Sequence, residues 1–132
     1  MKSRPVLFSI PTSPYPGALI ITTEPSAAKI IKYINNHHDG KIEQNDDVAN
    51  GILNFGDDSD LLARATRFNN GRTLIQFRHN RPSISTLAHE LIHATYNILT
   101  YVDVDLKDEE AFTYLFEYFL ESALQKMKVS LK

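Results

Sequence analysis

Residues 83–102 read SISTLAHELIHATYNILTYV, and the rest of the chain makes sense as support for this stretch. Ile84, Leu87, Leu91 and Ile98 recur at the spacings of three, four and seven residues that place side chains on one face of a helix, with further apolar residues alongside them. Pro82 and either Ser83 or Ser85 supply the signals that start a helix. Because a helix that is apolar on nearly every side has to be covered by protein, the stretch predicts a buried helix.

Residues 89–93 of this helix read His-Glu-Leu-Ile-His. Since residues four apart lie on one face of a helix, His89 and His93 are expected to present two imidazoles to one divalent ion. Zinc favours such nitrogen ligands. Glu90 stands beside the first histidine, where a general base for a zinc-activated water is needed. The alternative is a core helix whose histidines hydrogen-bond to backbone groups.

Composition limits the fold and the function. A chain of 132 residues is expected to form one domain, residues 1–132, with a real core. The net charge of −2 leaves no electrostatic footprint for nucleic acid. The lack of cysteine excludes disulfides and thiolate zinc sites. No stretch is long enough to span a membrane, and the apolar run at residues 6–10 is too short for a secretion signal, so the expected location is cytoplasmic.

The first half of the chain predicts strands and one helix. Residues 6–10 are a candidate edge strand, and the apolar, β-branched residues 18–23 are a good strand. A helix is predicted to open at Pro25 and to end near Gly40. Residues 51–55 are a candidate short strand.

The second half predicts a hairpin that leads directly into the His-Glu-Leu-Ile-His helix. Residues 61–69 and 72–79 flank Asn69-Asn70-Gly71, and Asn-Gly between alternating segments is a strong hairpin signal. Asp108 is a natural N-cap for a last amphipathic helix. Together these elements predict an α+β domain, with a small, mostly antiparallel sheet, one helix before it and two packed helices after it.

Two groups of charged residues have alternative interpretations. The acidic turn at residues 56–60 lacks the spacing of a calcium loop, so a solvated turn is expected. The arginines around the hairpin predict a solvated sheet face, and contact with an acidic partner is the alternative. These arginines are Arg64, Arg67, Arg72, Arg78 and Arg81.

Downstream of the motif, the candidates for a third metal ligand are carboxylates, because no histidine follows His93. Catalytic zinc sites usually have three protein ligands and a water. Tyr96 and Leu99 stand where the extended metzincin motif has its glycine and last histidine, which excludes that family. The downstream candidates are Asp103, Asp105, Asp108, Glu109, Glu110, Glu117 and Glu121.

Residues 110–114, Glu-Ala-Phe-Thr-Tyr, resemble the ligand segment Glu-Ala-x-x-Asp of the gluzincins, the thermolysin-like zinc metallopeptidases. With the His-Glu-x-x-His motif, the resemblance covers about the last third of the chain, and the short length is similar to minimal gluzincins, including compact bacteriophage proteins. It implies His89, His93 and Glu110 as zinc ligands and Glu90 as the base. Tyr114 stands where the family has an aspartate that orients a histidine.

Two choices within this resemblance stay open. Helical phase puts Glu109 on the apolar stripe of the last helix, whereas the Glu-Ala register favours Glu110. An acidic residue in the first turn also stabilises a helix without any metal. Tyr101 lies where the family has a tyrosine that stabilises the oxyanion, and an aromatic packing role is the alternative.

The resemblance implies a zincin-like fold and a zinc-dependent enzyme that hydrolyses peptide bonds of a peptide or protein substrate. The expected location is then the cytoplasm of the cell that makes the protein, which is the host cell if a phage encodes it. The alternative is a zinc-binding module of the same fold without proteolytic activity, which acts as a partner-binding or accessory protein.

Overall fold

The computed structural model describes residues 4–13, 15–37, 47–57, 60–68, 71–105 and 107–131. These residues form an α+β fold with a four-stranded mixed sheet and four helices. The elements are β1 (Leu7–Pro11), β2 (Ala18–Thr22), α1 (Ala27–His37), α2 (Asp47–Asp57), β3 (Ala63–Phe68), β4 (Arg72–Phe77), α3 (Ile84–Tyr101) and α4 (Glu109–Lys126). The predicted helix end at Gly40 and the Asn69-Asn70 corner of the hairpin lie outside the described residues.

The sheet has the strand order β1-β2-β4-β3. β1 pairs with β2, and β3 with β4, in antiparallel fashion, which confirms the mostly antiparallel sheet. β2 and β4 are parallel, because the chain passes through α1, α2 and β3 before it returns beside β2. The hairpin register places Ala63 opposite Phe77 and Phe68 opposite Arg72. Because β3 comes last in the strand order, it is an edge strand.

The predicted strand at residues 51–55 is wrong, because this segment belongs to α2. The prediction of a single helix before the sheet is wrong for the same reason, since α1 and α2 both lie between β2 and β3. Val48, Ala49, Ile52 and Phe55 recur at helical spacing, and burying Ala49, Ile52 and Phe55 against the sheet outweighs the low helix propensity of the glycines in this segment.

Helices cover both faces of the sheet. Every described residue of β2 and β4 is buried, which requires cover on each side. On one face Ile20 and Leu74 pack with apolar residues of α1 and α2. On the other face Ile21 and Ile75 pack with apolar residues of α3 and α4. The central strands are the middle layer of a three-layer domain.

The interpretation of the arginines as a solvated sheet face is wrong for three of them. Arg72 is buried. Arg64 donates to the carbonyl of Gly51 in α2 at 3.3 Å. Arg78 donates to the carbonyls of Leu61 (3.1 Å), Gly56 (3.3 Å) and Phe55 (2.7 Å), and its guanidinium lies 4.4 Å from the centre of the Phe55 ring. The side chains of Arg64 and Arg78 hold α2 to the sheet.

Both C-terminal helices begin as predicted. Ser83 caps α3, accepting a hydrogen bond from the Thr86 amide at 3.1 Å. The amide of Ile84 donates to the carbonyl of Ser130 at 2.6 Å, so the end of the chain is tied to the start of α3. Asp108 caps α4, accepting from the Ala111 amide at 3.1 Å. None of the helices in the described ranges combines the length and the apolar character needed to cross a bilayer.

We expect Arg78→Lys to lower the free energy of unfolding by about 2 kcal/mol, because lysine keeps the charge but lacks the planar fork that reaches several carbonyls. Urea denaturation measures the change. Arg81→Lys, at an exposed position, is the matched control and should be neutral. Equal stability of the two variants would contradict the anchoring role of Arg78.

Candidate metal centre

His89 and His93 lie together on the solvent-facing side of α3. Their Nε2 atoms are 3.2 Å apart, and their rings meet edge to face with centroids separated by 4.8 Å. Both side chains are exposed, whereas Leu87, Leu91 and Ala94 of the same helix are fully buried. The two nitrogens therefore converge on one point at the protein surface, as the four-residue spacing predicts.

The separation of the two nitrogens fits a shared metal ion. Two nitrogens bound to one tetrahedral zinc ion at 2.0–2.1 Å each lie about 3.3 Å apart. The observed 3.2 Å agrees with this value. At this distance the two rings can also share a hydrogen bond, and no rearrangement of α3 is needed to bring the two nitrogens together.

Glu90 points away from solvent, into the space between α3 and the edge strand. Only 7% of this residue is exposed. Burial raises the pKa of the Glu90 carboxyl above its ordinary value of 4.5, and the nearby charges of His89 and His93 oppose that rise only in part. A carboxyl group whose pKa moves toward neutrality can both accept and return a proton.

A cleft runs between α3 and β3, and Glu90 stands at its middle. It consists of two open hollows of about 470 and 520 Å³, and both are lined by Glu90 and Ala63. The first hollow, the Asp60 hollow, is lined by Asp60, Leu61, Leu62, Ala63, Ser85, Thr86, His89 and Glu90. The second, the Arg67 hollow, is lined by Ala63, Arg64, Ala65, Arg67, Glu90, His93, Tyr96 and Asn97.

Helix α3 runs along β3 in the same direction. The start of α3 lines the cleft with residues 60–63, and its middle does so with residues 63–67. At its end, the Tyr101 ring lies against Gly71 at the start of β4, where an added Cβ would come within 2.6 Å of the ring. The edge strand therefore forms one side of the cleft along its length, and α3 with His89 and His93 forms the other side.

Tyr101 packs on the hairpin. Its ring contacts Gly71, and it does not line either hollow. Eight residues separate it from His93, which is about 12 Å along a helix. These contacts support the packing role for Tyr101 that the sequence left open, over the role of an oxyanion donor.

The acidic candidates for a third ligand are not gathered around the histidines. Within the described ranges, no group of three or more His, Cys, Asp or Glu side chains is placed to hold a metal ion. Glu109 and Glu110 are exposed in the first turn of α4. Glu110 therefore stays a prediction, and the part of the centre that the structure brings together is His89, His93 and Glu90.

The cleft contains residues that the sequence did not place in the candidate site. Tyr96 lies one turn beyond His93 on the same side of α3, and half of its surface is exposed. Asn97 and Arg67 line the same hollow. The helical spacing from His93 could have revealed Tyr96, and strand alternation from Ala63 and Ala65 could have revealed Arg67.

No protein-family model matches the chain, and comparisons with curated proteins and with solved structures find no significant match.

Glu90 should make the metal-free protein less stable at neutral pH. Its pKa is higher in the folded state, so as the pH rises above 4.5 the unfolded chain releases this proton first, and the free energy of unfolding falls until the folded pKa is passed. Glu90→Gln cannot ionise and avoids this loss. We expect the variant to melt at a higher temperature than the wild type in chelator at neutral pH, with the gap closing below pH 4.5.

Glu117→Gln, at an exposed carboxylate of α4, is the control for this measurement and should leave the melting temperature unchanged. A gap that persists unchanged in acid would mean that ionisation of Glu90 is not its cause.

Proposed function

We propose that the protein is a zinc-dependent metallopeptidase of zincin-like fold, in which His89 and His93 bind the metal and Glu90 is the general base. The observation that carries this proposal is the 3.2 Å between the two Nε2 atoms, beside a buried carboxyl in an open cleft. The gluzincin resemblance adds Glu110 as the third ligand.

Zinc bound at this pair would supply Lewis-acid chemistry, polarising the scissile carbonyl and lowering the pKa of water. Glu90 accepts the proton of the attacking water and later donates it to the leaving amine. Its burial supports this double role, because a carboxyl with a raised pKa returns a proton more readily than an ordinary one.

The edge strand can hold the substrate as an added strand. The Arg78 amide donates to the Leu62 carbonyl at 2.9 Å, which sets the phase of the antiparallel ladder. Residues 62, 64 and 66 direct their backbone groups at β4, so Ala63, Ala65 and Arg67 direct theirs at the open edge. An extended peptide can pair with these groups beside Glu90.

Glu90→Gln should keep zinc and lose activity. We expect the wild type to purify with one zinc per chain and to cleave peptides in a mixed peptide pool, and Glu90→Gln to be slower by roughly 100- to 10,000-fold. Mass spectrometry of the pool and elemental analysis of the protein measure the two effects.

His93→Ala should lose both zinc and activity, while His79→Ala, a histidine outside the pair, should lose neither. Cleavage by Glu90→Gln at the wild-type rate would refute the proposed base. Zinc binding without any cleavage would instead support the accessory zinc-binding module.

Glu110→Ala should weaken zinc binding by more than the roughly 10- to 100-fold that follows the loss of a group that only orients a ligand. Glu109→Ala is the matched control, because it removes the neighbouring carboxylate from the same helical turn. Competition with a chromogenic chelator measures both affinities. The reverse order of the two effects would identify Glu109 as the ligand.

A further inference from the structure

We propose that the cleft selects extended peptides that place an aspartate or glutamate side chain against Arg67. This inference rests on the proposed function for one point, the position of the peptide along β3. The substrate class that it names is peptides with an acidic residue, and both cleavage and binding experiments can test it.

Arg67 is directed into the cleft by strand alternation. Ala63 and Ala65 pack against the core cluster on the α3 side of the sheet, so Arg67 faces the same side. Arg67 also lines the hollow that contains Glu90 and His93. Arg67 therefore lies on the same face of the sheet as Glu90 and His93 and lines the hollow that they share.

The guanidinium groups of Arg64 and Arg67 differ in their contacts. The Arg64 guanidinium donates to the Gly51 carbonyl of α2, on the opposite face of the sheet. Arg67 is exposed, and within the described part of the chain its guanidinium has no hydrogen-bond or ion-pair partner. Arg67 is thus the cation that the cleft offers to a ligand, and a carboxylate matches its planar fork.

The edge geometry sets where the carboxylate has to be. A peptide residue directly opposite Arg67 in an added strand has its side chain on the same face as Arg67. The small side chains of Ala63 and Ala65 leave room for the peptide's other side chains on that face. The acidic residue should therefore stand two positions from the residue opposite Ala65 and four from the residue opposite Ala63, which lines both hollows together with Glu90.

The two hollows differ in charge. Arg67 lies at one end of the cleft, Asp60 lies at the other, and Glu90 is between them. A peptide that carries its acid at the Arg67 end keeps it away from Asp60, whereas the reversed peptide brings its acid toward Asp60. This difference in charge favours one orientation of the bound peptide, with its acidic residue at the Arg67 end of the cleft.

The first test is a cleavage profile of a proteome-derived peptide pool. We expect the wild type to enrich Asp and Glu about fivefold at one position near the cleaved bond, since a partly exposed ion pair contributes little more than that. Arg67→Ala should lose the enrichment, and Arg67→Glu should replace it with Lys and Arg at the same position.

Lys32→Glu, an equal change of charge on α1 across the sheet, is the control and should keep the wild-type profile. An Arg67→Glu profile identical to that of the wild type would overturn the proposal, even while zinc-dependent cleavage stands.

The second test uses binding and needs no turnover. Short acetylated and amidated Ala/Thr peptides with one central Asp or Asn are titrated against metal-free Glu90→Gln protein, and fluorescence anisotropy follows a label at the peptide end. The Asp peptide should bind about fivefold tighter, less so in high salt, and Arg67→Glu should reverse the preference.

Two outcomes of the binding test would overturn the proposal. One is equal binding of the Asp and Asn peptides by the Glu90→Gln protein, and the other is an unchanged preference for the Asp peptide when Arg67→Glu is added. If the wild type cleaves nothing in the presence of zinc, the proposed function fails, and the binding test still decides the role of Arg67.

Discussion

The rotation of α3 about its own axis is the constraint on which the candidate site depends. Burial of Leu87, Leu91, Ala94 and Ile98 against the sheet holds one side of the helix inward. Helical geometry then leaves no freedom for the intervening residues. His89 and His93 face solvent together, and Glu90, one residue before Leu91, turns toward the edge strand. The positions of the histidine pair and of the buried carboxyl are consequences of how the core packs.

A buried carboxyl works against stability, and the surrounding structure offsets it locally. The Ser83 cap and the bond from Ile84 to the Ser130 carbonyl secure the start of α3, within two turns of Glu90. Across the cleft, Arg78 holds the Leu61 carbonyl and the end of α2, which steadies the start of β3. Polar contacts outside the site thus stabilise both walls of the cleft, and they offset the free-energy cost of burying the Glu90 carboxyl.

The sequence predicted the elements whose signals are local. The apolar spacing and caps of α3 and α4, and the alternating arms of the hairpin, depend on neighbouring residues and were confirmed. The short segment at residues 51–55 is compatible locally with a strand, and its helical structure depends on the sheet face that α2 covers. Tyr101 and the third ligand depend on how α3 sits relative to β4 and α4. No local pattern encodes that arrangement.

The register of the hairpin determines which backbone groups and side chains of β3 face the cleft. Residues 62, 64 and 66 use their backbone groups for β4, and Arg64 uses its side chain for α2. The side chains of Ala63, Ala65 and Arg67 lie on the α3 side of the sheet. A slip of one residue would exchange these two sets, moving the Arg64 side chain to the α3 side and turning that of Arg67 toward α2. The bonds of Arg64 and Arg78 to α2 oppose such a slip, so the contacts that anchor α2 also determine which side chains a bound peptide meets.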